Sequence, residues 1–94
     1  MSKVESYKTV FVDRMLPDDR LQNGVLYVAP HYAVAVHKCM CGCGEKVVTP
    51  LGRDNGGWAW SFDGTNVTLS PSVGNFLYDC KAHYFLRDGK VIWC

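Results

Sequence analysis

Apolar and polar residues alternate along much of this chain with a period of two, which is the period of a β-strand that has two different faces. The pattern is clearest in residues 32–39 (YAVAVHKC), where Tyr32, Val34 and Val36 take one face and His37 takes the other. Further strands are predicted at residues 7–12, 25–29 and 46–51. No long stretch shows helical periodicity, so the pattern predicts a mainly β protein.

Turn-forming residues separate the predicted strands. Asp63-Gly64 lies between two alternating segments and predicts a hairpin, and Asp88-Gly89 predicts a second hairpin near the end of the chain. Pro17 is placed to begin a short helical turn in residues 16–24. Together these signals predict a small curled antiparallel sheet or half-barrel.

Length and composition are those of one small globular domain, residues 1–94. Hydrophobic residues make up 48% of the chain and charged residues 20%, which excludes an intrinsically disordered protein. A chain this short buries only about 60–65% of the surface of its unfolded form, so it gains stability from a metal or another cross-link. The net charge of +1 and the lack of a dense basic run argue against nucleic-acid binding.

The five cysteines bear on the compartment. No apolar stretch approaches the ~18 residues that span a membrane, and the first residues lack the layout of a secretory signal. We therefore expect a cytoplasmic protein with no membrane partner. In that reducing compartment clustered cysteines bind metals or act in catalysis, and their odd number also disfavours a disulfide framework.

Residues 37–45 (HKCMCGCGE) place cysteines at every second position. Side chains two residues apart on a strand are roughly 6.5–7 Å apart, whereas two thiolates on one tetrahedral zinc lie about 4 Å apart. The chain must therefore turn back here, and Gly42 and Gly44 suit that turn because glycine accepts positive φ. The pattern predicts a Zn²⁺ site formed by Cys39, Cys41, Cys43 and Cys80. His37, His83 and Cys94 are the alternatives for one ligand.

Four thiolates around a tetrahedral zinc leave no position for water, so we expect a structural metal. His83 is then available as a general base, because it follows Cys80 by three residues and the metal fixes its backbone. Residues 69–75 (LSPSVGN) offer Ser72 as a nucleophile, with Pro71 before it and Gly74-Asn75 after it. Spacing alone leaves two alternatives open, which are an ordinary loop for LSPSVGN and a zinc-ligand pair for CxxH.

An ordered set of motifs runs through residues 25–93, including HxCxCGCG, VVTPL, VTLSPSVGN, CxxHYF and GKVIW. This set resembles the BubE peptidases of bacterial ubiquitin-like conjugation operons, a family of small bacterial and phage proteins. The resemblance implies a zinc-stabilised serine peptidase that trims or releases a ubiquitin-like protein at its C-terminal tail. It also implies a role for each motif residue: Ser72 as nucleophile, His83 as base, and Cys39, Cys41, Cys43 and Cys80 as metal ligands.

A third residue that orients His83 is less clearly marked. Glu45 directly follows the cysteine-rich segment, and we expect it to reach back to the histidine. Asp79, beside Cys80, and Asp63 are weaker candidates.

Trp58 and Trp60 share one face of a predicted strand and are expected to lie mainly in the core. A surface of this kind also suits an extended peptide, and a ubiquitin-like tail could add as a strand to a sheet edge. Gly56 and Gly57 suit such a close approach. The competing hypothesis is a non-catalytic zinc module that binds a protein partner.

Overall fold

Three small β-sheets make up the computed structural model, which describes residues 3–52, 54, 56–70, 72–74 and 80–94. The first sheet has the order β1-β2-β3-β4, with strands at Lys8–Phe11, Val25–Ala29, Val34–Lys38 and Lys46–Pro50. The second sheet is a hairpin of β5 (Ala59–Phe62) and β6 (Val67–Ser70). The third contains β7 (Val73–Gly74), β8 (His83–Arg87) and β9 (Lys90–Trp93).

The mainly β prediction is confirmed. The described residues contain no α-helix, and 3₁₀ turns occur at Asp18–Arg20 and Pro30–Tyr32. No helix among the described residues is long and apolar enough to cross a membrane. Pro17 directly precedes the first turn, as its fixed φ predicts. Both predicted hairpins form, and the sheets stay open.

Two features of the topology differ from the expectation. Strand β1 pairs with β2 in parallel, whereas the other strand pairs of the described chain are antiparallel. Parallel neighbours need a crossover connection, and residues 12–24 supply it. The short strand β7 was also not predicted, because two residues are too few to show an alternating pattern.

The main core lies between the sheets, where each strand directs every second side chain inward. Leu26, Val28 and Ala35 from the first sheet meet Val67 and Leu69 from β6. The third sheet adds inward-facing residues, which are Val73, Tyr84, Leu86 and Val91. This packing fixes which face of β6, β7 and β8 remains on the outside.

A second apolar cluster covers the opposite face of the first sheet. It contains Tyr27 and Val36, and the crossover segment contributes Leu16 and Leu21. Val36 therefore faces this cluster while His37 faces the core, so the predicted split of β3 between two faces is correct.

A hydrogen-bonded pair of buried side chains connects β3 to β8. His37 Nε2 lies 2.7 Å from the Tyr84 hydroxyl, which also accepts a hydrogen bond from the Met40 backbone N–H at 3.3 Å. Burial lowers the pKa of His37 to about 4, so its imidazole is neutral. The contact anchors the cysteine-rich turn that follows β3 to the strand that begins at His83.

Two valine-to-alanine variants test this description of the core. Val28→Ala removes two methyl groups from a fully buried side chain and should lower the free energy of unfolding by about 2–3 kcal/mol. Val48→Ala is the matched control, because Val48 is 50% exposed and should lose less than about 0.5 kcal/mol. Urea denaturation followed by circular dichroism measures both changes. Equal losses would contradict the assignment of the two faces.

Candidate metal centre and Ser-His site

The chain turns back on itself directly after β3, where the sequence places three cysteines. Gly42 and Gly44 take φ values of 90° and 86°, which confirms that glycine is needed at both positions. The backbone N–H of Cys39 donates to the carbonyl of Glu45 at 2.8 Å, and this bond closes the turn. The closure directs the three thiols toward one point.

The four predicted thiols lie together. The Sγ atom of Cys80 is 3.7 Å from that of Cys39 and 3.8 Å from that of Cys43, and the Sγ atoms of Cys39 and Cys41 are 3.4 Å apart. All four sulfur atoms lie within 4.8 Å of one another. Tetrahedral Zn–S bonds of about 2.3 Å place sulfur atoms about 3.8 Å apart, so the cluster has the dimensions of such a site.

The cysteines are free thiols. Burial and the adjacent thiols of Cys43 and Cys39 raise the pKa of Cys41 to about 12, whereas a hydrogen bond from the Ala82 backbone lowers the pKa of Cys80. Thiols this close cannot all ionise near neutral pH unless a cation balances their charge. A soft-ligand metal supplies that charge and deprotonates its ligands, so the donor set fits one.

The three alternative ligands lie outside this cluster. His37 is in the core beside Tyr84, and Cys94 is exposed near the end of β9. His83 contacts Ser72 instead. Within the described part of the chain, the group that can hold a metal consists of the four cysteines alone.

Ser72 and His83 form the second group of reactive side chains. The Oγ atom of Ser72 lies 2.6 Å from Nε2 of His83, which is a short hydrogen bond. In the tautomer with an unprotonated Nε2, the hydroxyl donates to the imidazole. Both residues are half-buried, so the pair is partly shielded and still open to solvent on one side.

The register of β7 and β8 explains how these two side chains meet. Gly74 lies opposite His83 and Val73 lies opposite Tyr84, so Ser72 is a diagonal neighbour of His83 on the same face. Gly74 has no side chain, and the imidazole can therefore extend across it to the serine. Cys80 precedes His83 by three residues, so the cluster of four cysteines lies at the start of β8.

Trp58 contacts the backbone of Ser72, and this contact was not predicted from the sequence. Its indole N–H donates to the Ser72 carbonyl at 3.2 Å. Trp58 is itself held by two backbone hydrogen bonds, from its own N–H to Pro50 and from the Gly52 N–H to its carbonyl. A Cβ atom on Gly57 would lie 2.5 Å from the Pro50 carbonyl oxygen. The space beside Gly57 is therefore filled by the protein's own backbone, at Pro50.

The third member of the site stays a prediction. The Glu45 side chain is exposed, and in the described residues it forms no hydrogen bond with His83. The Asp63 carboxylate accepts hydrogen bonds from the backbone N–H groups of Thr65 and Asn66 in its own turn. Asp79, like Pro71 and Asn75 of the serine loop, lies outside the described residues.

Metal content tests the cluster. Cys80→Ser removes the thiol that is close to both Cys39 and Cys43, so bound metal should fall from about one ion per chain to nearly none. The melting temperature should fall as well, by about 4–8 °C for each kcal/mol of metal-linked stability that is lost. Elemental mass spectrometry and thermal unfolding measure the two effects.

Cys94→Ser is the matched control, because Cys94 is an exposed cysteine outside the cluster. It should keep both the metal and the wild-type melting temperature. A Cys80→Ser variant that retained its metal while Cys94→Ser lost it would contradict the assignment.

Comparison with known proteins gives one match. The family model described as bacterial ubiquitination-like system serine protease (BubE) matches residues 11–94. No curated protein and no solved structure matches the chain. The matched region contains the four clustered cysteines, Ser72 and His83. The chain belongs to the BubE family, the serine proteases of bacterial ubiquitination-like systems.

Proposed function

We propose that this protein is a zinc-stabilised serine protease that cleaves at the C-terminal tail of a bacterial ubiquitin-like protein. The family supports the class of enzyme and the ubiquitin-like partner. The observation that carries the proposal is the 2.6 Å distance between Ser72 Oγ and His83 Nε2, because a serine hydroxyl becomes nucleophilic when a base accepts its proton. Ser72 is the nucleophile in this proposal and His83 is the general base.

The reaction is an acyl transfer in two stages. His83 Nε2 accepts the hydroxyl proton while Ser72 Oγ attacks the scissile carbonyl, and His83 then donates that proton to the leaving amine as the C–N bond breaks. In the second stage water attacks the acyl-enzyme while His83 Nε2 accepts a proton from it. His83 returns that proton to Ser72 Oγ as the C–O bond breaks, and the released tail ends in a carboxylate.

The four cysteines hold a structural zinc in this proposal. Four thiolate ligands would leave no position for water, so a metal held by them would supply stability rather than an activated water. Cys80 would then be held in the cluster, and its hydrogen bond from the Ala82 backbone would connect the cluster to the start of β8. This connection would keep the imidazole of His83 at the distance from Ser72 that proton transfer requires.

Trp58 is a positioning residue in this proposal. Its N–H holds the Ser72 carbonyl, and this fixes the peptide plane that joins Ser72 to Val73. Because Val73 is buried in the core, two contacts anchor the backbone that follows Ser72, and the serine side chain stays directed at His83.

Labelling with a fluorophosphonate tests the Ser-His pair. We expect the wild-type protein to form a covalent adduct at Ser72, because an activated serine attacks phosphorus as it attacks a carbonyl. Ser72→Ala should abolish labelling, and His83→Ala should slow it by at least about 100-fold. Peptide mapping by mass spectrometry locates the adduct.

Metal analysis of the same samples distinguishes the proposed serine protease from a non-catalytic zinc module. Both variants should retain the metal, since neither residue is among the clustered thiols. Absence of labelling in the wild type, together with loss of metal in His83→Ala, would instead support a non-catalytic zinc module.

Replacement of Trp58 tests its positioning role. Trp58→Phe keeps an aromatic ring but removes the N–H that donates to Ser72. A lost neutral hydrogen bond of about 1 kcal/mol should lower kcat about three- to tenfold with little change in KM. Trp93→Phe is the control, because it also removes an indole N–H, but one that donates to the Val4 carbonyl rather than to Ser72. An unchanged kcat in Trp58→Phe would remove the indole from the mechanism.

A further inference from the structure

Strand β5 has one edge that pairs with no other strand among the described residues. Its other edge pairs with β6, in the register Ala59 opposite Ser70 and Phe62 opposite Val67. At Trp58, just before β5, the outer edge is occupied by residues 50–52, since Trp58 donates to Pro50 and accepts from Gly52. Main-chain groups alternate between the two edges of a strand, so those of Trp60 and Phe62 point to the same outer edge. In the described part of the chain they have no hydrogen-bond partner there.

Among the residues that the structure describes, this edge lacks the usual protection against strand addition. Natural proteins block exposed edges with charged residues, proline, bulges or covering segments. Residues 59–62 (AWSF) contain no charged residue and no proline. The strand also exposes two large aromatic side chains, with Trp60 40% and Phe62 49% accessible. An edge of this composition is suited to a partner strand.

The two faces of the β5-β6 hairpin differ in character beside this edge. On the inner side, Trp60 and Phe62 form an exposed aromatic surface that Phe11 extends, with the rings of Phe11 and Phe62 5.0 Å apart. On the outer side lies a shallow, open groove. The residues that line it are Ala59, Trp60, Ser61, Thr68 and Ser70, and all of them except Trp60 have small side chains.

Outward-facing residues also lie on β6 and β7, near the Ser-His pair. Val67 and Leu69 of β6 and Val73 of β7 point into the core, so the residues next to each of them point outward. These are Thr68, Ser70, Ser72 and Gly74, and His83 meets Ser72 on that face. The groove therefore ends two residues from Ser72, and Trp58 connects the end of β5 to the Ser72 carbonyl.

From this geometry we propose that the substrate's extended tail, the residues preceding the scissile bond, binds as an added strand on the free edge of β5. This inference rests on the proposed function. A protease that releases a ubiquitin-like protein must hold the residues before the cut, because these are common to all its substrates. Main-chain bonds to Trp60 and Phe62 supply affinity, as in other cases of strand addition. Alternate side chains of the tail contact the aromatic surface, and the others must be small to fit the groove.

Backbone methylation of the substrate tests the proposal without changing the protein. The probes are peptides with the tail sequence of the ubiquitin-like protein and a fluorescent amine leaving group, each with one N-methylated amide. An added strand directs every second N–H at β5, so kcat/KM should fall about tenfold or more at alternate positions and little at those between. Losses that show no alternation, or none at all, would overturn the proposal.

Two variants at one position give an independent measurement. Trp60→Pro removes the N–H that faces the free edge, whereas Trp60→Ala removes the same ring and keeps that N–H. Trp60→Pro should raise KM about tenfold above Trp60→Ala, and fluorophosphonate labelling of Ser72 should proceed alike in both, which shows that the fold is intact. Equal KM values with intact labelling would overturn the edge proposal. Lack of labelling in the wild type would instead reject the proposed function.

Discussion

The cluster of four cysteine thiols is the contact on which the rest of this structure depends. It joins the turn after β3, in the first sheet, to the start of β8, in the third sheet, and a domain of 94 residues has few other means to connect open sheets. Without a cation, four thiols so close to one another cannot all ionise. Metal binding at this cluster would therefore be linked to assembly of the sheets that it joins.

The proposed catalytic geometry follows from this connection and from the pleat of the sheet. Packing of Tyr84 and Leu86 in the core directs His83 outward, and packing of Val73 directs Ser72 outward. The register then makes the two residues diagonal neighbours, and Gly74, which lies opposite His83, has no side chain. Trp58 holds the serine carbonyl from the adjacent hairpin. Each of these contacts is individually modest, and the Ser-His geometry depends on all of them together.

Much of this arrangement is encoded locally and could be predicted. Alternation marked the strands, Asp-Gly pairs marked the hairpins, and the cysteine spacing required the turn at Gly42 and Gly44. The parallel pairing of β1 with β2 was not predictable, because it depends on how the crossover packs over Tyr27 and Val36. The Trp58 hydrogen bond was missed for a similar reason, since an indole's partner depends on tertiary contacts. The role of Glu45 remains a prediction.

The central claim is that His83 is paired with Ser72 while the cysteines alone bind the metal. The most direct test is the nitrogen NMR spectrum of the histidine rings in metal-loaded protein labelled with ¹⁵N-histidine. The account predicts that the His83 Nε2 resonance shifts in Ser72→Ala and that neither His83 nitrogen shows the shift of a metal-bound imidazole. A metal-bound His83 resonance that Ser72→Ala leaves unchanged would contradict it.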